Sequence, residues 1–289
     1  MSCPNSDSPI NISTTANVLS CEVFCSYMHQ YKDSACTATY YPDHIKLSYD
    51  ATTSAAVTFN NEGYNVREVN IYAPSLHAYN GSSADAEMLI IHDGAGKKLI
   101  VSIPLVQSNN TAASAKILDD IIGKFSSTVD KTKTNDSQLI NVQNYNMENF
   151  IPSSPYYFYM GGAPFSPCDG QYNFIVFDKT KSPVTIGSDA LKTLTGMIQP
   201  SGIKAVSRTD YYYNSSGPNV KPGFNKDEIY IECNPTGEDG EILYQTPSPS
   251  AVDLSGLSMD NLIHNPYLNV AIGIGLSYMA LKIVGKILD

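Results

Sequence analysis

Five histidines and six cysteines are the side chains of this chain best suited to hold a metal or act as nucleophiles. His29, His44 and His264 share no ligand spacing with one another, so they do not form a sequence-local metal site. Cys21, Cys25 and Cys36 lie close together, with Cys3, Cys168 and Cys233 far apart from them. A zinc knuckle and a set of disulfides are both open to such a group, although the C-x-x-C spacing common in zinc sites is absent. Between them stand two short apolar runs, EVNIYAPSLHAYNG from Glu68 to Gly81 and EMLIIH from Glu87 to His92. Side chains alternate across a strand, so residues two apart in the first run share a face, and one from a neighbouring strand can join them. That geometry can bring three side chains to one point.

Those two runs resemble the zinc-binding strands of the alpha-class carbonic anhydrases, which read FHFHxPSEH and then ExHLVH. Laid on that pattern without a gap, Pro74, Ser75, His77, Glu87 and His92 match, while the three ligand histidines fall on Asn70, Tyr72 and Leu89. A catalytic zinc needs three protein ligands and one open position where bound water becomes acidic near neutral pH. An amide, a normally protonated phenol and an alkyl group do not make that set. The acidic residue that orients the hydroxide in the family falls on Leu76, and the gating threonine on Pro164, followed by Phe165. The resemblance therefore implies the fold without the metal or the activity, and no cofactor. His77 and His92 match family histidines that serve in buried hydrogen bonding.

The resemblance continues through SPINI from Ser8 to Ile12, the segment His44 to Val66, YYFYMGGAPFSPC from Tyr156 to Cys168, the segment Phe174 to Leu194 and KPGFNKDEIYIEC from Lys221 to Cys233. It implies a central twisted, largely antiparallel sheet, and a Cys3 to Cys168 disulfide like that of secreted family members. Residues 1–233 are read as one such domain, with a Cys-rich insertion at about 14–42.

The residues alone point to a mainly β fold with peripheral short helices. Runs such as Ala56 to Phe59, Leu99 to Val106 and Tyr172 to Phe177 recur between Gly, Asn, Ser and Pro clusters. Helical periodicity is clearest at Ala113 to Phe125, with Ile117, Leu118, Ile121 and Ile122 on one side, and around Asp189 to Ile198, with Ser188 as N-cap. At 289 residues the chain is long enough for one large domain and extras.

From Leu268 to Leu288 the sequence LNVAIGIGLSYMALKIVGKIL has the length of a membrane-crossing helix, with Lys282 and Lys286 in its last turns. Residues 234–265, rich in Pro, Ser, Gly and Asp, read as a polar linker, and 266–289 as a single-pass C-terminal anchor. No cleavable signal peptide is recognisable, so the expected topology is tail-anchored. Disulfides without a signal peptide fit a virus particle assembled in the cytoplasm with its own thiol oxidation. In architecture the chain resembles the tail-anchored carbonic-anhydrase-like envelope proteins of poxviruses, which implies a large DNA virus, a virion location and a viral membrane.

The balance of 28 acidic against 18 basic residues disfavours nucleic acid and sulfated glycans as partners. The expected function is an inactive structural protein, a minor capsid protein contacting other capsid or virion proteins. A surface attachment protein binding host glycans or a receptor is the alternative, and an active carbonic anhydrase with relocated ligands a remote one. The cluster Tyr211 to Tyr213 is a candidate contact surface, whereas Tyr156 to Tyr159 reads as partly core. The sequons at Asn11, Asn80, Asn109, Asn135 and Asn214 are read as incidental.

Overall fold

A computed structural model of the chain describes residues 3, 6–13, 18–22, 24–109, 112–181 and 184–218. The strands in its first half are β1 (Ile10–Ile12), β2 (Leu19–Ser20), β3 (Tyr27–His29), β4 (Cys36–Tyr41), β5 (His44–Leu47), β6 (Val57–Phe59), β7 (Glu62–Tyr72), β8 (Ala78–Tyr79), β9 (Ser82–Ser83), β10 (Ala86–Gly94) and β11 (Lys98–Gln107). Helix α1 (Ala113–Thr128) follows, then β12 (Ser137–Ile140), β13 (Tyr156–Gly162), β14 (Gln171–Phe177), β15 (Val184–Ile186), α2 (Ser188–Met197), β16 (Val206–Ser207) and β17 (Tyr212–Asn214).

The main sheet runs β12-β4-β5-β7-β10-β11-β14-β13-β17-β2, with β15 on β11, β6 on β7 and β3 on β6. It is mixed: β14 and β15 pair parallel with β11, and β2 parallel with β17, while the other pairs are antiparallel. A smaller sheet, β16-β1-β8-β9, carries the SPINI strand. The segment 14–42 supplies β2, β3 and β4, and its Tyr27, Tyr31, Cys36 and Ala38 are buried, so it is built into the sheet.

Alternation sorts the side chains to two faces. Val69 and Ile71 of β7, with Met88 and Ile90 of β10, enter a large core that includes Leu118, Ile121, Ile122 and Phe125 of α1. Tyr72, Leu89 and Ile91 enter a second cluster on the opposite face. Each fully buried aliphatic side chain of α1 contributes about 1.5–3 kcal/mol by leaving water, which holds the helix on the sheet.

Helix α2 begins one residue earlier than the sequence suggested. Its N-cap is Gly187, not Ser188, and no side chain caps it. The Asp119 carboxylate of α1 sits against this residue and accepts its backbone N–H. A Cβ there would lie 2.6 Å from Asp119 Oδ1, so a larger residue would have to push that carboxylate aside.

Cys3 and Cys168 are bonded, as the resemblance implied, with Cα atoms 5.4 Å apart across 165 residues of sequence. Closing so long a loop contributes about 2–5 kcal/mol in the chain-entropy view. Cys21 is bonded to Cys25, which corrects the zinc-knuckle alternative, because those sulfurs are consumed. Cys36 is buried and has no disulfide partner among the described residues, and burial pushes its thiol pKa up to about 12. Cys233, the linker at 234–265 and the expected helix at 268–288 lie outside the described residues. Among the described residues no helix is long and apolar enough to cross a membrane.

Candidate functional site

Strands β7 and β10 pair antiparallel with Leu89 opposite Asn70 and Glu87 opposite Tyr72. Lys46 of β5 lies opposite Asn70 on the other side. The register therefore brings Asn70, Tyr72 and Leu89 to one face, where three convergent ligands could have met. All three are buried. Leu76 and Phe165 join Tyr72 and Leu89 in the same apolar cluster. The Tyr72 ring is stacked between His44, at 5.0 Å, and Phe165, at 6.5 Å. His44 in turn stacks on Tyr41 at 4.5 Å.

The donor set does not fit a zinc ion. Leu89 has no lone pair to give. Burial first, and then the nearby carboxylates of Asp43, Glu68 and Glu87, hold the Tyr72 phenol well above its ordinary pKa, so it stays protonated. The Asn70 side-chain oxygen is buried without a hydrogen-bond partner among the described residues. A lone amide oxygen is a weak ligand for zinc compared with imidazole. No cluster of three His, Cys, Asp or Glu side chains suited to a metal occurs among the described residues. Pro164 has no hydroxyl with which to gate anything, and its carbonyl accepts the Cys3 N–H at 3.2 Å.

Beside these residues, on the same face, lies a buried polar network. Glu87 accepts the backbone N–H groups of Leu76 and His77 at 2.6 and 3.1 Å, and the Ser102 hydroxyl. His77 Nδ1 donates to Glu87 at 2.5 Å, which leaves Nε2 to accept from the Tyr159 hydroxyl at 2.7 Å. Burial alone would raise the Glu87 pKa; the neighbouring His77 and the hydrogen bonds from His77 and Ser102 outweigh it and hold the carboxyl below its usual range. On the opposite face Tyr31 donates to His92 Nε2 at 3.0 Å and lies 3.1 Å from the Tyr27 hydroxyl. Burial pushes the His92 pKa down to about 3, so this imidazole is neutral. Both histidines are thus hydrogen-bonded core residues.

His29 was given no partner by sequence spacing, yet its Nδ1 meets Glu148 at 2.9 Å. Glu148 sits in the short 3-10 turn Met147–Asn149 and also accepts the Tyr31 N–H at 2.6 Å. Separation by more than a hundred residues hid this pair, and no local signal marks it. The tyrosine expectation needs correcting as well. Tyr211 is buried and its hydroxyl accepts the Ser13 N–H, while Tyr212 stacks on Phe158 and Tyr213 packs tilted against Tyr157. Strand β17 pairs with β13, and Tyr212 and Tyr213 stay half-buried. Asn214 is buried, with its side-chain oxygen accepting the N–H groups of Ser216 and Gly217, which rules it out as a glycan acceptor in the folded chain.

A mixed sheet of this order is that of the alpha-carbonic-anhydrase-like fold. Solved structures agree. Dioscorin complexed with ascorbate is similar at a TM-score of 0.60 and 19% identity, covering 73% of this chain and 86% of that one. The alpha-carbonic anhydrase from Thermovibrio ammonificans, in complex with sulfanilamide, gives 0.58 at 17% identity, with 73% and 87% coverage. A carbonic anhydrase from Chlamydomonas reinhardtii, in complex with acetazolamide, gives 0.59 at 15%, with 72% and 90% coverage. At these identities the likeness speaks for the fold alone. No family model and no curated protein sequence matches the chain.

Proposed function

We propose that the chain is a catalytically inactive member of the carbonic-anhydrase-like fold that serves as a structural protein of a large virus particle. In this reading the domain is tethered by residues 234–265 to a viral membrane crossed by Leu268 to Leu288, and it contacts capsid or other virion proteins. The observation that carries the inactivity is the exchange of all three convergent ligand positions for Asn70, Tyr72 and Leu89, all buried, with Tyr72 and Leu89 in an apolar cluster. The membrane and particle roles are supported by the spanning-length apolar run and the polar linker in the sequence, and by the acidic composition that disfavours glycan attachment.

Two measurements test it. Purified protein loaded with excess zinc and then dialysed should retain no stoichiometric metal, and carbon dioxide hydration should stay at the uncatalysed rate. One zinc per chain would bring back the relocated-ligand enzyme. Removal of the residues after Pro266 should convert a carbonate-resistant membrane species into a soluble one with an unchanged thermal melt. A full-length chain already extracted by carbonate would defeat the tether. In intact particles, protease access to the domain would favour the attachment role over a capsid-linking one.

A further inference from the structure

The chain has 20 tyrosines and no tryptophan, so phenols carry the aromatic redox chemistry it can support. Whether a buried phenol can give up an electron turns on where its proton goes, because a cationic ring left in an apolar interior is costly. Tyr79, Tyr145 and Tyr156 donate to backbone carbonyls, which are poor bases. Two phenols among the described residues meet an imidazole nitrogen instead: Tyr159 at 2.7 Å from His77 Nε2, and Tyr31 at 3.0 Å from His92 Nε2.

The two pairs are not equal. Behind His77, on the imidazole's other nitrogen, stands the Glu87 carboxylate, so an imidazolium formed there faces a negative charge in an interior where that attraction is strong. No carboxylate among the described residues is bonded to His92, and burial, which pushes its pKa down to about 3, opposes its protonation. The surroundings of Tyr159 point the same way. Its side chain is fully buried, so the phenol is closed off from bulk water and His77 is the base within reach. The Arg208 guanidinium lies over the ring at 5.6 Å, where it attracts a neutral ring and repels a cationic one, so electron and proton must leave together. Phe174 stacks on Tyr159 at 4.5 Å with Tyr172 a further 6.2 Å along, a row of rings through which an electron can pass.

We propose that Tyr159 is a redox-active tyrosine, oxidised by a diffusible one-electron oxidant with His77 as its resident proton acceptor. The electron passes to the oxidant, the Tyr159 O–H bond breaks, and the proton forms an N–H bond on His77 Nε2. A neutral phenoxyl radical and an imidazolium paired with Glu87 remain, and on reduction the proton returns along the same hydrogen bond. The domain thereby holds one oxidising equivalent in its core. This activity stands on the buried network and does not depend on the virus-particle role.

The test is flash oxidation of the full chain in detergent by photogenerated trisbipyridine ruthenium(III), with persulfate as electron sink, followed by freeze-quench electron paramagnetic resonance. The unaltered chain should give a tyrosyl radical that forms several-fold more slowly in heavy water, at a rate insensitive to buffer concentration because the base is internal. Tyr159→Phe keeps the ring and should lose that signal, with a thermal melt checking its fold, whereas Tyr31→Phe should keep it. If Tyr159→Phe does not fold, Tyr31→Phe labelled with nitrogen-15 histidine decides. Double resonance must then still show a histidine nitrogen coupled to the radical, and its absence would overturn the proposal. So would an unaltered chain with no tyrosyl radical, an unchanged signal in folded Tyr159→Phe, or a lost one in Tyr31→Phe. A rate that rises with buffer concentration would overturn it too, because the proton would then be leaving to solvent and not to His77.

Discussion

Glu87→Gln is expected to destabilise the domain by about 1–3 kcal/mol, the cost of leaving a buried hydrogen-bonding group unsatisfied. The carboxylate is fully buried and collects the N–H groups of Leu76 and His77, the His77 imidazole and the Ser102 hydroxyl. An amide of the same shape would offer a donor where at least one donor already points, leaving buried groups unsatisfied. Equilibrium urea denaturation measures the loss. Glu62→Gln is the control, since Glu62 meets Lys97 at the surface, and its midpoint should not move. If both variants unfold at the same urea concentration as the parent, the network contributes no stability and its tight geometry is incidental.

The second large effect is loss of stability in mild acid through His92. Its pKa falls from 6.5 in the unfolded chain to about 3 in the fold because burial penalises the charged form. Between those values the unfolded chain binds a proton that the folded chain does not, so stability is full above pH 6.5 and declines as pH falls. The slope is about 1.4 kcal/mol per pH unit, or roughly 5 kcal/mol over the whole window. Glu87 works in the same direction at lower pH, because a depressed carboxylate loses its contribution as it protonates. Urea melts between pH 7 and pH 5, where few carboxylates titrate, isolate the imidazole. His92→Gln keeps an acceptor for the Tyr31 hydroxyl and should show a much flatter dependence than the parent. Parallel curves for the two proteins would mean that His92 does not titrate on unfolding in this window.

The legibility of this fold in its sequence varied with the range of the interactions. Helix α1 was readable because Ile117, Leu118, Ile121 and Ile122 repeat with the helical period, and burial on a single sheet face demands that period. Strands β11 and β14 were readable as runs rich in aliphatic and aromatic residues, since central strands are covered on both faces. The cap of α2 falls one residue earlier, on Gly187, whose N–H meets Asp119 of another helix, a contact that no local pattern announces.

At the candidate site the same division holds. Alternation along β7 placed Asn70 and Tyr72 on one face from the sequence alone, and the chemistry of an amide, a phenol and an alkyl group followed from residue identity. Only the register of β10 on β7 set Leu89 opposite Asn70, and only packing from distant loops brought Phe165 and His44 onto the Tyr72 ring. The partner of His29, the depressed pKa of His92 and the pairing of Cys21 with Cys25 likewise became definite in the folded chain. Local periodicity is written into neighbouring residues and survives without the fold. Hydrogen bonds, desolvation and ring contacts between residues tens to hundreds of positions apart depend on distances that tertiary structure alone determines.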